Sequence, residues 1–202
     1  MTLRAFRRIV ISLTVTLLLA SCCIPPAYES LPVTVHPQET SMWCWAASGE
    51  MVMDYLGHDV AQCTQANNRF GRTDCCNTPT PAACVQGGWA EYAKYDFSAV
   101  HTTDAALSWT DLKKQIARSR FCKKRPFTFT WYWPGGGGHT MVAKGYYTLN
   151  LAAVSLKLVE MIDPLPVGVG DTRWITYDYY VADPGHHTHW DDYYNITYTG
   201  AP

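Results

Sequence analysis

Hydrophobic and polar positions change their period about halfway along the chain. In the first half, apolar residues recur at helical spacing. The predicted helices lie at 44–56, 60–70, 89–95 and 108–117. In the second half, aromatic and β-branched residues alternate along short segments, which is typical of strands. The predicted strands lie at 126–133, 139–147, 154–162, 174–181 and 196–198. Helices followed by hairpin-connected strands predict an α+β fold with an antiparallel sheet.

The first 21 residues predict an export signal rather than part of the fold. Three arginines within the first eight residues precede an apolar run at 9–20, which is too short for a comfortable membrane span. The run ends in Leu19-Ala20-Ser21-Cys22, which resembles the lipobox of a bacterial lipoprotein. We therefore expect cleavage before Cys22 and acylation of that cysteine, with an ordinary signal peptide as the alternative.

The predicted domain plan follows from that processing site. Residues 1–21 are the signal peptide, residues 22–34 form a proline-rich tether, and residues 35–202 form the folded domain. An acylated Cys22 anchors the mature chain to a membrane on the periplasmic side of the cell envelope. The tether leaves no room for an inhibitory pro-domain, so control is expected to lie elsewhere, for example in a separate inhibitor protein.

Composition limits the function classes. The chain has 202 residues, 48% of them hydrophobic, which suffices for one compact domain or for two lobes that share a cleft. Its formal net charge is −1, so the overall charge offers no electrostatic case for binding nucleic acid.

Cys44 is the first candidate for chemistry because it begins a predicted helix. The positive end of a helix favours a thiolate, and the thiolate is the nucleophilic form of cysteine. Gln38 stands six residues earlier and could donate a hydrogen bond to an oxyanion. The alternative is a buried structural cysteine in an Ala-rich helix.

His139 is the best candidate for a base that serves Cys44. It follows four glycines and begins a predicted strand, and an imidazole there can take the thiol proton and later protonate a leaving amine. Asp163 ends the next predicted strand, just before Pro164. If the two strands form a hairpin, the start of the first lies beside the end of the second, so Asp163 can orient His139.

Eight cysteines in an exported chain predict disulfides. Cys63, Cys75, Cys76 and Cys84 form a group, and adjacent Cys75 and Cys76 seldom bond each other. Two connectivities remain, and a zinc site is the alternative. Cys122 could pair with Cys44, pair with Cys23 or stay unpaired, and only the first of these would remove the nucleophile.

A second histidine-rich segment lies near the C-terminus. His186, His187 and His189 stand close to Asp191 and Asp192, which is compatible with a metal site. We favour a surface loop from which Trp190 packs inward, and we expect no metal.

The segments around the candidate residues resemble papain-like cysteine proteases. They are Gln38 with Cys44-Trp45-Ala46-Ala47-Ser48, then Gly138-His139-Thr140-Met141-Val142, then Val159-Glu160-Met161-Ile162-Asp163-Pro164. The most similar group is the bacterial one that includes AvrRpt2 and the staphopain-like and C39-like peptidases. The resemblance extends over residues 35–164. The Met42-Trp43 flank departs from the Gly/Ser-rich turn of papain, which puts substrate preference in doubt.

The resemblance implies a papain-like fold, with a helical N-terminal lobe, an antiparallel β-sheet C-terminal lobe and the active site between them. It implies that Cys44 is the nucleophile and His139 the general acid/base, and that Asp163 takes the orienting place that many relatives give to asparagine. Gln38 and the Cys44 backbone N–H would form the oxyanion hole. The substrate would be a protein or peptide, with no cofactor.

Two other functions remain open at this stage. Peptidoglycan-cleaving amidases or endopeptidases of the NlpC/P60 and CHAP types also place a cysteine at a helix start and a histidine on a strand, although the Gln-to-Cys spacing argues against them. A non-catalytic, disulfide-stapled binding lipoprotein would leave Cys44 without a chemical role.

Overall fold

The computed structural model describes residues 22–151 and 154–201. The predicted signal peptide at 1–21 therefore lies outside the described residues. Helices come first along the chain and strands dominate the second half. The helices are α1 (Cys44–Tyr55), α2 (Gln62–Phe70), α3 (Trp109–Ile116) and α4 (Tyr177–Val181). Single 3-10 turns lie at Ala82–Cys84 and Tyr92–Tyr95.

The strands of the described residues form one antiparallel sheet. They are β1 (Tyr28–Ser30), β2 (Phe97–His101), β3 (Phe127–Tyr132), β4 (Gly138–Leu151), β5 (Val154–Asp163), β6 (Asp171–Thr176), β7 (Ala182–Asp183) and β8 (His187–Tyr198). The main path runs in the order β2-β8-β3-β4-β5-β6, with β1 added to β4 and β7 added to β8. The architecture is α+β and consistent with a papain-like fold, as predicted.

Helix α1 packs against strand β4. Its residues 45–53 are all buried, so almost every face of the helix contacts protein. Small residues allow this close packing. A Cβ atom on Gly49 would lie 2.8 Å from both the Ala90 Cβ and the Gln65 Oε1. The helix ends before Gly57, whose φ of 87° suits a glycine after a helix end.

Several sequence predictions need correction. The strand predicted at 174–181 is strand only to Thr176, because the Thr176 hydroxyl accepts a hydrogen bond from the Tyr179 N–H and caps α4 instead. The helix predicted at 89–95 is reduced to the 3-10 turn at its C-terminal end. The short strand predicted at 196–198 is the end of the 12-residue strand β8.

The segment predicted as a tether belongs to the folded structure. Strand β1 pairs with residues 145–147 of β4, and Leu31 is fully buried in the main core. Cys23 is joined by a disulfide to Cys122. The folded part therefore begins at the N-terminal end of the described residues rather than at residue 35.

Within residues 22–151 and 154–201, no helix combines the length and the apolar character needed to cross a bilayer.

Candidate active site

Cys44 is the first residue of α1; the residue is half-buried, and its sulfur is not in a disulfide. The tryptophans on either side hold this helix end in place. The Trp43 indole N–H donates to the Cys84 carbonyl at 2.7 Å, and the Trp45 indole N–H donates to the Gln86 carbonyl at 3.1 Å. Both tryptophans are buried. The start of α1 is thus fixed to the loop that follows the cysteine-rich segment.

The two disulfides of that segment lie next to the helix start. They join Cys63 to Cys76 and Cys75 to Cys84, which is one of the two connectivities left open by the sequence. Cys75 and Cys84 are buried in one apolar cluster with Trp43. Because all four sulfurs are in disulfide bonds, none is available as a thiolate ligand for zinc.

The third disulfide decides the state of the nucleophile. It joins Cys23 to Cys122 and leaves Cys44 unpaired. Cys122, which could have formed a disulfide with Cys44, is therefore bonded to Cys23 instead.

His139 and Asp163 form a close, buried pair. The His139 Nε2 lies 2.6 Å from the Asp163 Oδ1, and the two residues are 6% and 7% exposed. Hairpin pairing of β4 with β5 brings them together, since Val142 pairs with Ile162 and both side chains lie just beyond that pair. The topology predicted from the sequence therefore holds for this contact.

Further groups hold the Asp163 carboxylate. Its Oδ1 accepts the Leu165 backbone N–H at 3.0 Å, and its Oδ2 accepts the Arg173 guanidinium at 3.0 Å. Burial alone raises the pKa of Asp163, but the hydrogen bond and charge of His139, together with Leu165 and Arg173, outweigh burial and lower that pKa below its usual range. The carboxylate stays ionised beside the imidazole.

The same contacts set the state of His139. Burial alone lowers the pKa of His139, but hydrogen bonds to Asp163 and Cys44, with the negative charges of both, raise that pKa to about 9. Since Nε2 faces Asp163, Nδ1 is the ring nitrogen left for the Cys44 sulfur. A ring protonated at neutral pH beside a thiol can stabilise a thiolate and can later give up its proton.

Gln38 is fully buried on the segment before α1. Its backbone N–H donates to the Pro164 carbonyl at 2.9 Å, and its carbonyl accepts the Gly168 N–H at 3.0 Å. Its side-chain Nε2 donates to the Thr40 carbonyl at 2.7 Å, which leaves one amide hydrogen free. Gln38 is thus secured to the chain just after Asp163.

Gln62 holds the backbone on both sides of Gln38, and the sequence did not reveal it. Its Nε2 donates to the Pro37 carbonyl at 3.0 Å and to the Glu50 carboxylate of α1 at 2.9 Å, and its Oε1 accepts the Glu39 N–H at 2.9 Å. Gln62 is 1% exposed. No local pattern could have identified it, because its partners are 12 to 25 residues away in the chain.

A second overlooked contact joins the two halves of the site. The Ser48 hydroxyl of α1 donates to the Thr140 carbonyl of β4 at 2.9 Å, and the bond is buried. Cys44 lies one turn before Ser48, and His139 directly precedes Thr140. The helix that carries the sulfur is thereby tied to the strand that carries the imidazole.

Gly138 and Trp133 shape the surroundings of His139. A Cβ atom on Gly138 would collide with the Trp131 carbonyl oxygen and lie 3.1 Å from the Trp190 ring, so only glycine fits there. The Trp133 ring lies nearly parallel to the His139 ring, 6.2 Å between centroids and tilted by 13°. Trp133 is 42% exposed, so part of its ring is open to solvent.

The C-terminal histidines do not form the predicted surface loop. His187 and His189 are buried on β8, and the His189 Nε2 lies 3.0 Å from the Asp192 Oδ1. Asp192 also accepts the Tyr180 hydroxyl at 2.6 Å and the Leu107 N–H at 2.6 Å. These partners satisfy the carboxylate within the core, so the segment is a buried polar network. Trp190 is only half-buried and packs against Trp89 and Tyr132.

Comparison with known proteins agrees with this geometry. Residues 27–165 match the model of the family described as papain-like cysteine protease AvrRpt2. The match covers 139 of the 202 residues and includes the positions of Gln38, Cys44, His139 and Asp163. A search of curated proteins finds no match to this chain.

Proposed function

This chain belongs to the AvrRpt2 family of papain-like cysteine proteases, and from that premise we propose that it is an exported cysteine peptidase that hydrolyses peptide bonds through an acyl-enzyme on Cys44. One observation carries the proposal. Cys44 is unpaired in a chain whose neighbouring cysteines are oxidised, and it stands beside an imidazole that is held by a buried carboxylate. A purely structural thiol has no need of that partner.

In the proposed acylation step, Cys44 reacts as a thiolate paired with the protonated His139 ring, and its sulfur attacks the carbonyl carbon of the scissile bond. Negative charge develops on the carbonyl oxygen. Two donors stabilise it, the free amide hydrogen of Gln38 and the Cys44 backbone N–H, which has no acceptor within the first turn of α1. His139 then gives its proton to the leaving amine, the C–N bond breaks, and an S-acyl enzyme remains.

Water completes the reaction. His139 takes a proton from the water as the water oxygen attacks the thioester carbon, and the C–S bond breaks to release the carboxylic acid and restore the Cys44 thiolate beside the protonated ring. Asp163 keeps the imidazole in one orientation through Nε2, so Nδ1 faces the sulfur in both steps. Arg173 in turn holds Asp163.

We further propose that the enzyme acts on the periplasmic side of the cell envelope, attached through an acylated Cys22. The support is the signal-like N-terminus with its Leu-Ala-Ser-Cys motif. Three disulfides in the folded part suit an oxidising compartment. Grouping with the C39-like peptidases and control by a separate inhibitor protein remain part of this proposal.

Affinity labelling tests the proposed nucleophile. Purified mature protein is treated with an epoxide reagent specific for thiol peptidases, and the modified cysteine is located by mass spectrometry. We expect modification of Cys44. In His139→Ala, the rate of this modification should fall roughly 100-fold or more, because a general acid/base typically contributes that much. An unmodified Cys44 in native protein, or one found in a disulfide, would overturn the proposal.

Substrate assays complete the test. We expect casein or a mixed peptide library to be cleaved by the wild type and left intact by Cys44→Ala. Release of soluble muropeptides from isolated cell walls, without cleavage of peptide substrates, would instead identify a peptidoglycan hydrolase. Unchanged function of Cys44→Ala in cells would favour a non-catalytic binding protein.

A further inference from the structure

The loop at residues 117–126, here called the basic loop, concentrates positive charge on one part of a slightly acidic chain. It joins α3 to β3 and contains five basic residues and no acidic one, while the whole chain has a formal net charge of −1. The basic residues are Arg118, Arg120, Lys123, Lys124 and Arg125. Arg118 is paired with Glu29, and Arg125 donates to the Thr197 hydroxyl. Arg120, Lys123 and Lys124 are exposed and, within the described part of the chain, form no ion pair.

The loop also exposes an aromatic side chain at its tip. Phe121 is 49% exposed, and the Arg120 guanidinium carbon lies 4.9 Å from the centre of its ring. Both Phe121 and Lys124 have positive φ, at 67° and 61°, a conformation that costs free energy for residues other than glycine. The fold therefore imposes this loop shape, with an apolar ring among free cations.

Backbone contacts hold the loop in that shape. The Lys123 N–H donates to the Lys114 carbonyl at 2.9 Å, and the Arg125 N–H donates to the Gln115 carbonyl at 3.0 Å, so the loop is fixed to α3. Cys122 at its centre is bonded to Cys23. The basic loop is thus a rigid part of the surface.

The same disulfide places the proposed lipid attachment point beside the basic loop. Cys22 is exposed and directly precedes Cys23, whose Cα lies 4.8 Å from that of Cys122. Since neighbouring Cα atoms are about 3.8 Å apart, the Cα of Cys22 is within about 9 Å of the centre of the basic loop. An acyl chain on Cys22 would bring this loop to the lipid headgroups.

We propose that the basic loop docks onto an anionic membrane surface, with Phe121 in the headgroup region and with Arg120, Lys123 and Lys124 against lipid phosphates. The proposal rests on the acylation of Cys22 put forward above. A lipid anchor combined with a basic patch is the usual pair of determinants for stable, oriented attachment. The occupant is a membrane rather than a protein because the patch lies where the anchor leaves the domain.

Docking by the basic loop also fixes which way the active site faces. The loop leads into β3 at Phe127, which pairs with Ala143, whereas the far end of β3 pairs with Gly138, next to His139. The two ends of β3 are five residue steps apart, or about 17 Å. The catalytic pair lies at the end of the β3–β4 hairpin away from the membrane and is left open to proteins in the periplasm.

Amine footprinting of the acylated protein tests the docking. The full chain is expressed with its own signal, and the mature product is purified and placed on vesicles of phosphatidylcholine, alone or with about 30 mol% phosphatidylglycerol. We expect an amine-reactive reagent to modify Lys123 several-fold more slowly on the anionic vesicles. Lys94 and Lys157, which are exposed elsewhere, should react equally on both. High salt, about 0.5 M, should abolish the difference.

Matched charge variants supply the control. Each cation near an anionic surface contributes about fivefold, so Arg120→Gln/Lys124→Gln should shift the docking equilibrium by roughly 25-fold and expose Lys123. Lys94→Gln/Lys157→Gln removes the same charge elsewhere and should leave Lys123 protected. Phe121→Ser should also weaken protection. Peptidase activity on a soluble peptide, measured in parallel, should not change in any of these variants.

Equal modification of Lys123 on both vesicle types would overturn the docking proposal. Protection that appears in isolated envelopes but on no vesicle would also overturn it, in favour of a protein partner. The mass of the N-terminal peptide tests acylation separately. If Cys22 is unmodified, the lipoprotein proposal fails, and sedimentation of the same product with anionic vesicles then decides the docking by itself.

Discussion

At the residue scale, His139 is subject to two opposed influences. Burial disfavours the charged ring, while the Asp163 carboxylate and the Cys44 sulfur favour it, and the second influence prevails. The ring is therefore protonated at neutral pH. A protonated imidazole is the acid that a leaving amine needs.

The pH profile follows from this state. With a pKa of about 9, His139 holds its proton well below pH 9, holds half of it near pH 9 and loses it above. We expect kcat/KM to fall as pH rises through about 9. Asp163→Asn removes a negative charge from the ring, which lowers the His139 pKa and should move this alkaline limb to lower pH. If the alkaline limb of the steady-state kcat/KM profile does not move in Asp163→Asn, the proposed role of Asp163 is wrong.

Gln62 is predicted to act through Gln38. Gln62→Leu frees the backbone around Gln38, the proposed oxyanion donor, so we expect kcat to fall roughly 10- to 100-fold with little change in KM, because full loss of such a donor costs about 100- to 1,000-fold. Gln115→Leu is the control, since Gln115 is also a buried glutamine, 3% exposed, but lies on α3.

A double-mutant cycle separates positioning from a general structural effect. On a Gln38→Ala background, Gln62→Leu should cost little further activity, because the group it positions is already gone. Additive losses in kcat, or an equal loss in Gln115→Leu, would show that Gln62 only supports the fold.

At the element scale, the site depends on the fit of α1 against β4. The Ser48 to Thr140 hydrogen bond and the absence of a side chain at Gly138 both belong to this contact region. The glycine run at 135–138 offers an internal comparison. Gly138 has no space for a Cβ atom, whereas a Cβ on Gly135 would meet nothing within 4 Å.

We predict opposite outcomes for alanine at these two glycines. Gly138→Ala forces the new Cβ against the Trp131 carbonyl, so it should destabilise the protein by about 1–3 kcal/mol and displace His139 enough to lower kcat. Gly135→Ala should stay within about 0.5 kcal/mol of the wild type. Thermal unfolding and peptide hydrolysis measure both effects. Similar behaviour of the two variants would mean that β4 adjusts freely at its start.

The element scale also shows where sequence patterns mislead. Aromatic residues favour strands, so Tyr177–Val181 was predicted as strand, although Thr176 caps a helix there. Strand β8 was almost entirely missed because histidines and aspartates are typical of loops. In the fold, those polar groups find buried partners such as Tyr180, and the strand is stable.

At the scale of the whole molecule, two of the three disulfides have different roles. Cys23–Cys122 spans 99 residues and ties the N-terminal segment to the basic loop. Cys75–Cys84 spans 9 residues and packs beneath the start of α1. The first constrains the chain as a whole, and the second supports the residue that carries the sulfur.

Removal of each bond should therefore have a different effect. Cys23→Ala/Cys122→Ala should lower the free energy of unfolding by about 4–5 kcal/mol, as expected for a loop of this length, and leave kcat on a soluble peptide near that of the wild type. Cys75→Ala/Cys84→Ala should cost less stability, about 2–3 kcal/mol, but lower kcat because Trp43 loses its support. Denaturant unfolding and kinetics at a temperature where both variants are folded measure this. A kcat loss in the first pair alone would refute the division.

The sequence by itself determined the features that depend on nearby residues or on simple topology. These are the helix that begins at Cys44 and stops before Gly57, the hairpin that brings His139 to Asp163, and the exclusion of a Cys75–Cys76 bond. Each follows from spacing within one element or one hairpin, where the backbone leaves few alternatives.

Tertiary structure decided the features that depend on residues far apart in the chain. Only the fold paired Cys122 with Cys23 and so left Cys44 free. Only the fold brought Gln62 to the backbone next to Gln38. It also brought Cys22 close to the basic loop. The physical reason is that a buried polar group or a thiol bonds with whichever partner the packed chain brings within reach. That choice is made by the whole core and is not encoded in any local pattern.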